Sequence, residues 1–228
     1  MKSFSKNPWF KTLPPDEIEA LMAVTRPMKL RKGEFLFHQG DPVNESSDAF
    51  FGLVSGSLKF SIFNAAGDEA IVTIIEAGNW IGTGSSLDNL PRAINAIILE
   101  DTEILAVDSK NFDVLMQRSH FAVAIAKLLA ARLRLVYWLI TDSALQTVRE
   151  RICRRIAILA HGDITQSLDG RDTISISQDN LAMMLGISRP TLNKELQMLG
   201  KMGVISLRYG RIEIENMPLL LKEINGHS

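Results

Sequence analysis

The stretch from Ser177 to Asn216 reads SQDNLAMMLGISRPTLNKELQMLGKMGVISLRYGRIEIEN, and its pattern is helix, tight turn, helix and hairpin. Ser177 is placed to cap a helix running through Leu185, with Leu181 and Leu185 on its inner face. Gly186-Ile187-Ser188 is a short glycine-containing turn, and Ser188 is a natural N-cap for the next helix. Pro190 falls in that helix's first turn, where backbone N–H groups lack helical acceptors in any case. Leu192, Leu196 and Leu199 then recur at i, i+4 and i+7, which leaves Arg189, Asn193, Lys194 and Gln197 on the other side. A row of donors on a helix presented by a tight turn suits the major groove of DNA, where guanine offers its O6/N7 acceptor pair. VISL and RIEI flank Arg208-Tyr209-Gly210-Arg211, a hairpin tip whose two arginines can reach phosphates. The expectation is a winged helix-turn-helix; its bland rival is a helical hairpin with a solvated polar face.

Working outward, ALQTVRERICRRIAILAHG reads as a further helix, with Leu145, Val148, Ile152, Ile156 and Leu159 as its buried stripe. Cys153 lies beside that stripe as a small core filler. Thr141-Asp142-Ser143 interrupts the apolar pattern with capping residues and is expected to be a hinge. Before it, helical pattern runs from Asn111, with Phe121, Ile125, Leu128, Leu135 and Leu139 forming a narrow seam that Arg132 interrupts. A helix of roughly thirty residues at ~1.5 Å per residue is about 45 Å long, more than a small barrel can cover. It is therefore read as a dimerisation helix.

Pro14 to Val24 reads as a short helix with acidic residues at its start, where the helix dipole favours them. From Met28 to Val107 the texture is short apolar runs between glycines. The runs are Glu34–His38, Ala49–Val54, Ser57–Phe63, Ala70–Ile75, Ala93–Leu99 and Glu103–Val107, with Leu58, Phe60 and Ile62 alternating on one face. This pattern points to an antiparallel sandwich or barrel. The fold class is thus α+β, in three parts: a sensor domain at 1–110, a dimerisation helix at 111–140 and a DNA-binding domain at 141–228.

The 228 residues are 46% hydrophobic and 22% charged, ordinary globular composition that argues against a disordered or collagen-like chain. The net charge of −1 gives no hint of nucleic acid, but residues 1–144 carry 14 Lys/Arg against 17 Asp/Glu, and residues 145–228 carry 11 against 9. One cysteine cannot form an internal disulfide or supply a Cys-based zinc or iron–sulfur cage. MKSFSKNPWF lacks the apolar run of a signal peptide, and the apolar stretch Phe121–Ile140 contains Lys127, Arg132 and Arg134, so a cytoplasmic, soluble chain without membrane partners is expected.

GISRPTLNKELQMLGKMGVI closely resembles the DNA-binding signature of the cyclic AMP receptor protein and fumarate–nitrate regulator (Crp/Fnr) superfamily. KGEFLFHQGD, FFGLVSGSLKF and GDEAIVTIIEAGNWIG are similar to that superfamily's cyclic-nucleotide-binding-like β-roll, so the resemblance covers nearly the whole chain. It implies a homodimeric transcription regulator whose partners are a pseudo-palindromic DNA operator, a second copy of itself, RNA polymerase and a small-molecule effector. Arg189 stands at the superfamily's guanine-reading arginine and Lys194 at a second base-reading position, usually arginine. Gln178, Ser188 and Thr191 match phosphate-touching positions, and Asn193, Arg208 and Arg211 complete the expected DNA-binding set. Pro190 replaces the glutamate that reads cytosine in the best-known members, so their operator sequence does not carry over.

The resemblance also locates the effector site at Gly82, Thr83, Gly84, Ser85, Arg92 and Ala93, in the stretch WIGTGSSLDNLPRAINA. Members that bind cyclic AMP use a glycine–glutamate pair on the ribose and an arginine–serine pair on the phosphate. Gly82 and Arg92 are retained, but Thr83 stands for the glutamate and Ala93 for the serine or threonine, which argues against cyclic AMP. Arg92 with backbone N–H groups near Gly82–Ser85 leaves another anion open, beside an ordinary structural ion-pair role for Arg92 and an unknown ligand or none. Haem is a further candidate through His38, His120 and methionines, although no haem-binding spacing is visible. The remaining rivals are a cyclic-nucleotide-binding-like module regulating a protein partner, against which the complete helix-turn-helix argues, and an enzyme. No nucleophile–base arrangement, metal-ligand spacing or P-loop is visible, and Ser85-Ser86 is not a nucleophile elbow.

Overall fold

The apolar runs of the first half fold into one antiparallel sheet rolled around its own interior. Its strands are β1 (Arg26–Leu30), β2 (Phe35–Phe37), β3 (Asp48–Phe63), β4 (Glu69–Glu76), β5 (Trp80–Ile81) and β6 (Asn95–Asp108). The computed structural model describes residues 2–45, 47–162, 164 and 170–224. β3 and β6 pair along their lengths, from Asp48 opposite Asp108 to Ser61 opposite Asn95. β1 and β2 flank β6, and β4 and β5 flank β3. Leu53, Leu58, Ile75, Ile98 and Ile104 fill the interior.

Two expected pairs of short strands prove to be single long ones. The sequence pattern suggests one strand ending at Val54 and another beginning at Ser57, but β3 runs through Gly56 by register shifts on either side of Ser55. Gly56 has φ +79°, and a Cβ there would sit 2.3 Å from the Thr102 hydroxyl oxygen. This glycine makes a bulge rather than a turn. A second shift between Phe60 and Ser61 reverses the expected alternation, so that Ser61 is buried while Ile62 is 38% exposed.

An aromatic cluster closes one end of the roll. Phe4 and two residues of α1 (Pro8–Lys11), Trp9 and Phe10, pack with Phe50, Trp80, Phe112 and Phe121. The sequence reading did not include these N-terminal anchors. α2 (Pro15–Ala23) follows, one residue inside the expected helix at each end, and α3 (Thr83–Asp88) stands between β5 and β6.

The expected helix at 111–140 is two helices, α4 (Ser109–Met116) and α5 (Ser119–Leu145). They part where Arg118 turns to extended backbone and its guanidinium meets buried Glu17 of α2 at 2.5 Å. Phe121 and Ile125 are buried in the aromatic cluster, and the Trp9 indole N–H donates to the Ala124 carbonyl at 2.8 Å. These two members of the expected dimer seam therefore face the chain's own core. Leu128, Leu135 and Leu139 on the same side are half-buried.

The expected hinge at Thr141–Ser143 is helical. The Thr141 hydroxyl donates back to the Tyr137 and Trp138 carbonyls, the Ser143 hydroxyl to Ile140, and Asp142 pairs with Arg154 at 3.0 Å. Polar side chains that bond the preceding turn sit inside a helix without ending it. The break falls at Gln146–Thr147, where Thr147 and Glu150 form a reciprocal capping box for α6 (Val148–Ala160). Leu145, expected in the next helix's buried stripe, ends α5 at 78% exposure.

The C-terminal part is α6, β7 (Thr173–Ser175), α7 (Gln178–Leu185), α8 (Arg189–Lys201), β8 (Ile205–Arg208), β9 (Arg211–Ile214) and α9 (Met217–Ile224). β9 lies between β7 and β8, so the hairpin carries a third strand. Ile152, Ile156, Leu181, Leu192, Leu196 and Leu199 make its core, which Ile71 and Ile74 of β4 join. Burying a leucine of this kind stabilises by about 1.5–3 kcal/mol. The Arg155 guanidinium donates to the Val72 carbonyl and Arg171 pairs with Glu76 at 2.8 Å, fastening this part to β4. Among the described residues no helix is long and apolar enough to cross a membrane.

Candidate nucleic-acid interface and effector cavity

Each helix of the helix-turn-helix is started and stopped by the residue that chemistry would choose. The Ser177 hydroxyl accepts the Asn180 N–H at 3.1 Å, and Gly186 ends α7 in the left-handed region at φ +62°. The Ser188 hydroxyl accepts the Thr191 N–H at 3.3 Å and lies 2.8 Å from the Thr191 hydroxyl. Leu192, Leu196 and Leu199 are fully buried, which turns Arg189, Thr191, Lys194 and Gln197 to solvent and leaves Asn193 half-buried. Gln178, the first residue of α7, is also half-buried.

Arg189 meets Asp179 of α7 at 3.2 Å, a partner that sequence reasoning missed. Both side chains are more than half exposed, and a pair of that kind is worth about 0–1 kcal/mol. It orients the guanidinium without withholding it from a stronger acceptor. Behind α8, Arg149 of α6 bonds Glu195 at 2.9 Å and lies 3.9 Å from buried Glu223 of α9. The hairpin turns on Tyr209-Gly210, with Arg208 opposite Arg211 and Gly210 at φ +68°. Arg208 reaches Glu213 at 3.3 Å, and the Ser206 hydroxyl reaches it at 2.9 Å. The hydroxyl first, then Arg208, hold the Glu213 carboxyl below its usual range. Tyr209 is fully exposed at the tip, a second residue the sequence reading left out of the site.

In the β-roll, Gly82, Thr83, Gly84, Ser85, Arg92 and Ala93 line one cavity of about 270 Å³, together with Phe37, Phe60, Leu90 and Ile94. Gly82, at φ +102°, is tightly seated: a Cβ there would lie 2.2 Å from the Ala49 carbonyl oxygen. Arg92 is buried, donates to the Gly82 and Asp48 carbonyls at 3.3 and 2.8 Å, and lies 4.5 Å over the Phe37 ring. Burial lowers its pKa, opposed by the charges of Asp41 and Asp48.

A second cation lines the same cavity. Arg132 reaches from α5 to the Thr83 hydroxyl at 3.2 Å and to the Trp80 carbonyl, and burial lowers its pKa to about 10. Its only signal in the sequence is a charge at an inward-facing position of a helix. His38, just after β2, and His120, on α5, are both exposed, and neither lines this cavity. His38 stacks on Phe35, and His120 lies 3.9 Å from Glu17.

The outer face of α5 has its own period. Val123, Ala126, Ala130, Leu133, Tyr137, Ile140 and Ala144 are all exposed and recur at alternating steps of three and four.

Two family models divide this architecture between them. Residues 27–119 match the cyclic nucleotide-binding domain, and residues 150–223 match the Crp-like helix-turn-helix domain. The chain belongs to the Crp/Fnr family of transcription regulators. It is 27% identical over 215 residues to the cyclic AMP receptor protein of Thermus thermophilus, covering 94% of this chain and 95% of that one. The crystal structure of the Thermus thermophilus catabolite activator protein covers 97% of this chain and all of its own, at 27% identity and a TM-score of 0.53. FixK2 from Bradyrhizobium japonicum is 16% identical and shares the fold at a TM-score of 0.77, over 90% of this Crp/Fnr chain and all of its own. As a Crp/Fnr regulator the chain carries a DNA-binding helix-turn-helix, and its activity lies in binding rather than in enzymatic turnover.

Proposed function

We propose that this regulator acts as a homodimer that reads a pseudo-palindromic operator through α8 and grips the flanking phosphates through the wing. The carrying observation is α8 itself, whose three leucines are buried while Arg189 and Lys194 stand free of the core in solvent. In this reading Arg189 and Lys194 contact base edges and Asn193 supports them. Ser188, Thr191, Gln178, Arg208 and Arg211 bind phosphate and sugar. The exposed heptad face of α5 supports pairing with a second copy, since apolar residues at steps of three and four form the seam of a two-helix coiled coil. Two-fold symmetry then sets half-sites about 34 Å apart. Contact with RNA polymerase and a cytoplasmic location follow from the same role.

The cavity of Gly82 and Arg92 is proposed as the effector site. Thr83 and Ala93 remove the carboxylate and hydroxyl that would hold a cyclic nucleotide, so control by cyclic AMP is not expected. With a single buried cysteine, control by an iron–sulfur cluster is not expected either. Titrating labelled duplex against salt tests the DNA reading. Each phosphate contact should contribute a slope of about −0.9 in log K against log salt, and Arg211→Ala should shrink the slope by about one such unit. An unchanged slope would remove the wing from the interface.

A further inference from the structure

We propose that the effector is a small dianion on a partly apolar body, with one negative charge held by Arg92 and the other by Arg132. The inference rests on the proposed effector role of the same cavity and names the ligand's chemical class. Two guanidiniums line the cavity, anchored through adjacent residues, Arg92 on the Gly82 carbonyl and Arg132 on the Thr83 hydroxyl. Their partners are neutral: carbonyl oxygens and one hydroxyl. Among the described residues neither guanidinium forms an ion pair with a carboxylate. Among the described residues Asp88 is the one acidic residue of the lining, and its carboxylate already accepts the Leu90 N–H at 3.0 Å. For Arg92 desolvation outweighs the through-space charges of Asp41 and Asp48, and for half-buried Arg132 it stands unopposed, so a charge-assisted bond from an anion would recover that cost. Among the described residues the buried Arg132 Nε–H has no acceptor, so part of that cost stands unrecovered.

Phe37, Phe60, Leu90 and Ile94 supply the apolar wall, which inorganic phosphate alone would leave uncovered. The absence of a carboxylate at Thr83 fits the same choice, since an acidic residue there would repel a second negative charge. Arg132 stands on α5, and Arg92 on the segment between β5 and β6. A ligand bound to both ties the helix that bears the exposed seam to the β-roll. It would thereby favour one placement of α5 over others, as an effector must do to alter DNA binding.

The test is calorimetric titration of the full chain in phosphate-free buffer at pH 7.5. The probes are adenosine 5′-monophosphate, glutarate and cyclic AMP. The first carries close to two charges on a nucleoside, the second carries two on an aliphatic chain, and cyclic AMP carries one on the same nucleoside. At least one dianion should bind saturably and at least about tenfold (~1.4 kcal/mol) tighter than cyclic AMP. The better dianion identifies its source as phosphomonoester or dicarboxylate. Arg92→Gln and Arg132→Gln should each weaken that dianion at least tenfold, and Arg132→Lys should recover part of the loss. Circular dichroism and melting identify any variant that fails to fold, and Arg132→Lys then carries the comparison. Equal or tighter binding of cyclic AMP, no saturable heat from either dianion, or no loss in the Arg132 variants would overturn the proposal. Duplex binding by the wild-type chain in the same preparation separates the two failures. Retained DNA binding without dianion binding sinks only this inference, whereas loss of DNA binding sinks the reading beneath it.

Discussion

The cations of α8 and those of the β-roll cavity are the same kinds of residue in opposite surroundings. Arg189 and Lys194 stand in water, where the pair between Arg189 and Asp179 is weak enough to be exchanged for a base edge. Arg92 is buried and Arg132 half-buried, both held by neutral oxygens at the wall of a cavity of about 270 Å³. In the proposed reading the exposed set suits a large polyanion in solution, and the cavity set a small anion. Net charge describes neither. In the proposed reading a chain of net charge −1 binds DNA by placing a few cations on one helix and one wing, doubled by symmetry in the proposed dimer.

The comparison is broken most severely by removing what holds the exposed set in place. Leu196→Ala opens a cavity beneath α8 and should cost about 2–5 kcal/mol in urea unfolding. A loss below 1 kcal/mol would mean that α8 is not held by its leucine face. Next in size, Arg189→Ala should lose about 1–3 kcal/mol of discrimination at one base pair while leaving non-specific affinity nearly intact. Weakening spread evenly over all sequences would move Arg189 to the phosphate-binding group. Smaller again, Thr147→Ala removes the capping box at the joint between α5 and α6 and should cost about 1 kcal/mol in the melting of the isolated chain. It sharpens the comparison, because the cap is where the two halves meet.

At the low end lies the one cysteine. Burial pushes the Cys153 thiol up to about 12. A folded value raised above the unfolded one contributes stability that is complete below about pH 8.5, the usual thiol range. That contribution is lost as pH climbs toward 12. A thiol reagent at pH 8 should therefore leave Cys153 untouched in the folded chain and react at once in urea; rapid labelling of the folded chain would contradict its burial.

The DNA-binding half was legible because its signals are local. Ser177, Gly186 and Ser188 mark helix ends within a few residues of what they cap, and the leucine spacing of α8 needs no knowledge of its neighbours. The β-roll was legible in kind but not in its strand boundaries. Gly56 can make a turn or a bulge, and only its partner strand, at Asp101 and Thr102, decides which. The part of the expected α5 seam at Phe121 and Ile125 lies in the chain's own core for the same reason. Two apolar stripes run along that helix, and the sequence does not say that Trp9 and Phe50 wait for the one containing Phe121. Thr141–Ser143 misled because hydroxyls that cap a helix can also bond the turn before them. Arg132 was visible only as a blemish in an apolar stripe, since its partners Trp80 and Thr83 lie about fifty positions earlier.

The central claim is that two copies of this chain present two recognition helices to one face of DNA. It is tested most directly by selecting bound duplexes from a random pool with the full-length chain and weighing the complex by native mass spectrometry. The account predicts two chains per duplex and an enriched inverted repeat with half-site centres about 10 base pairs apart. One chain per duplex, or a pool that shows no inverted repeat after selection, would contradict it.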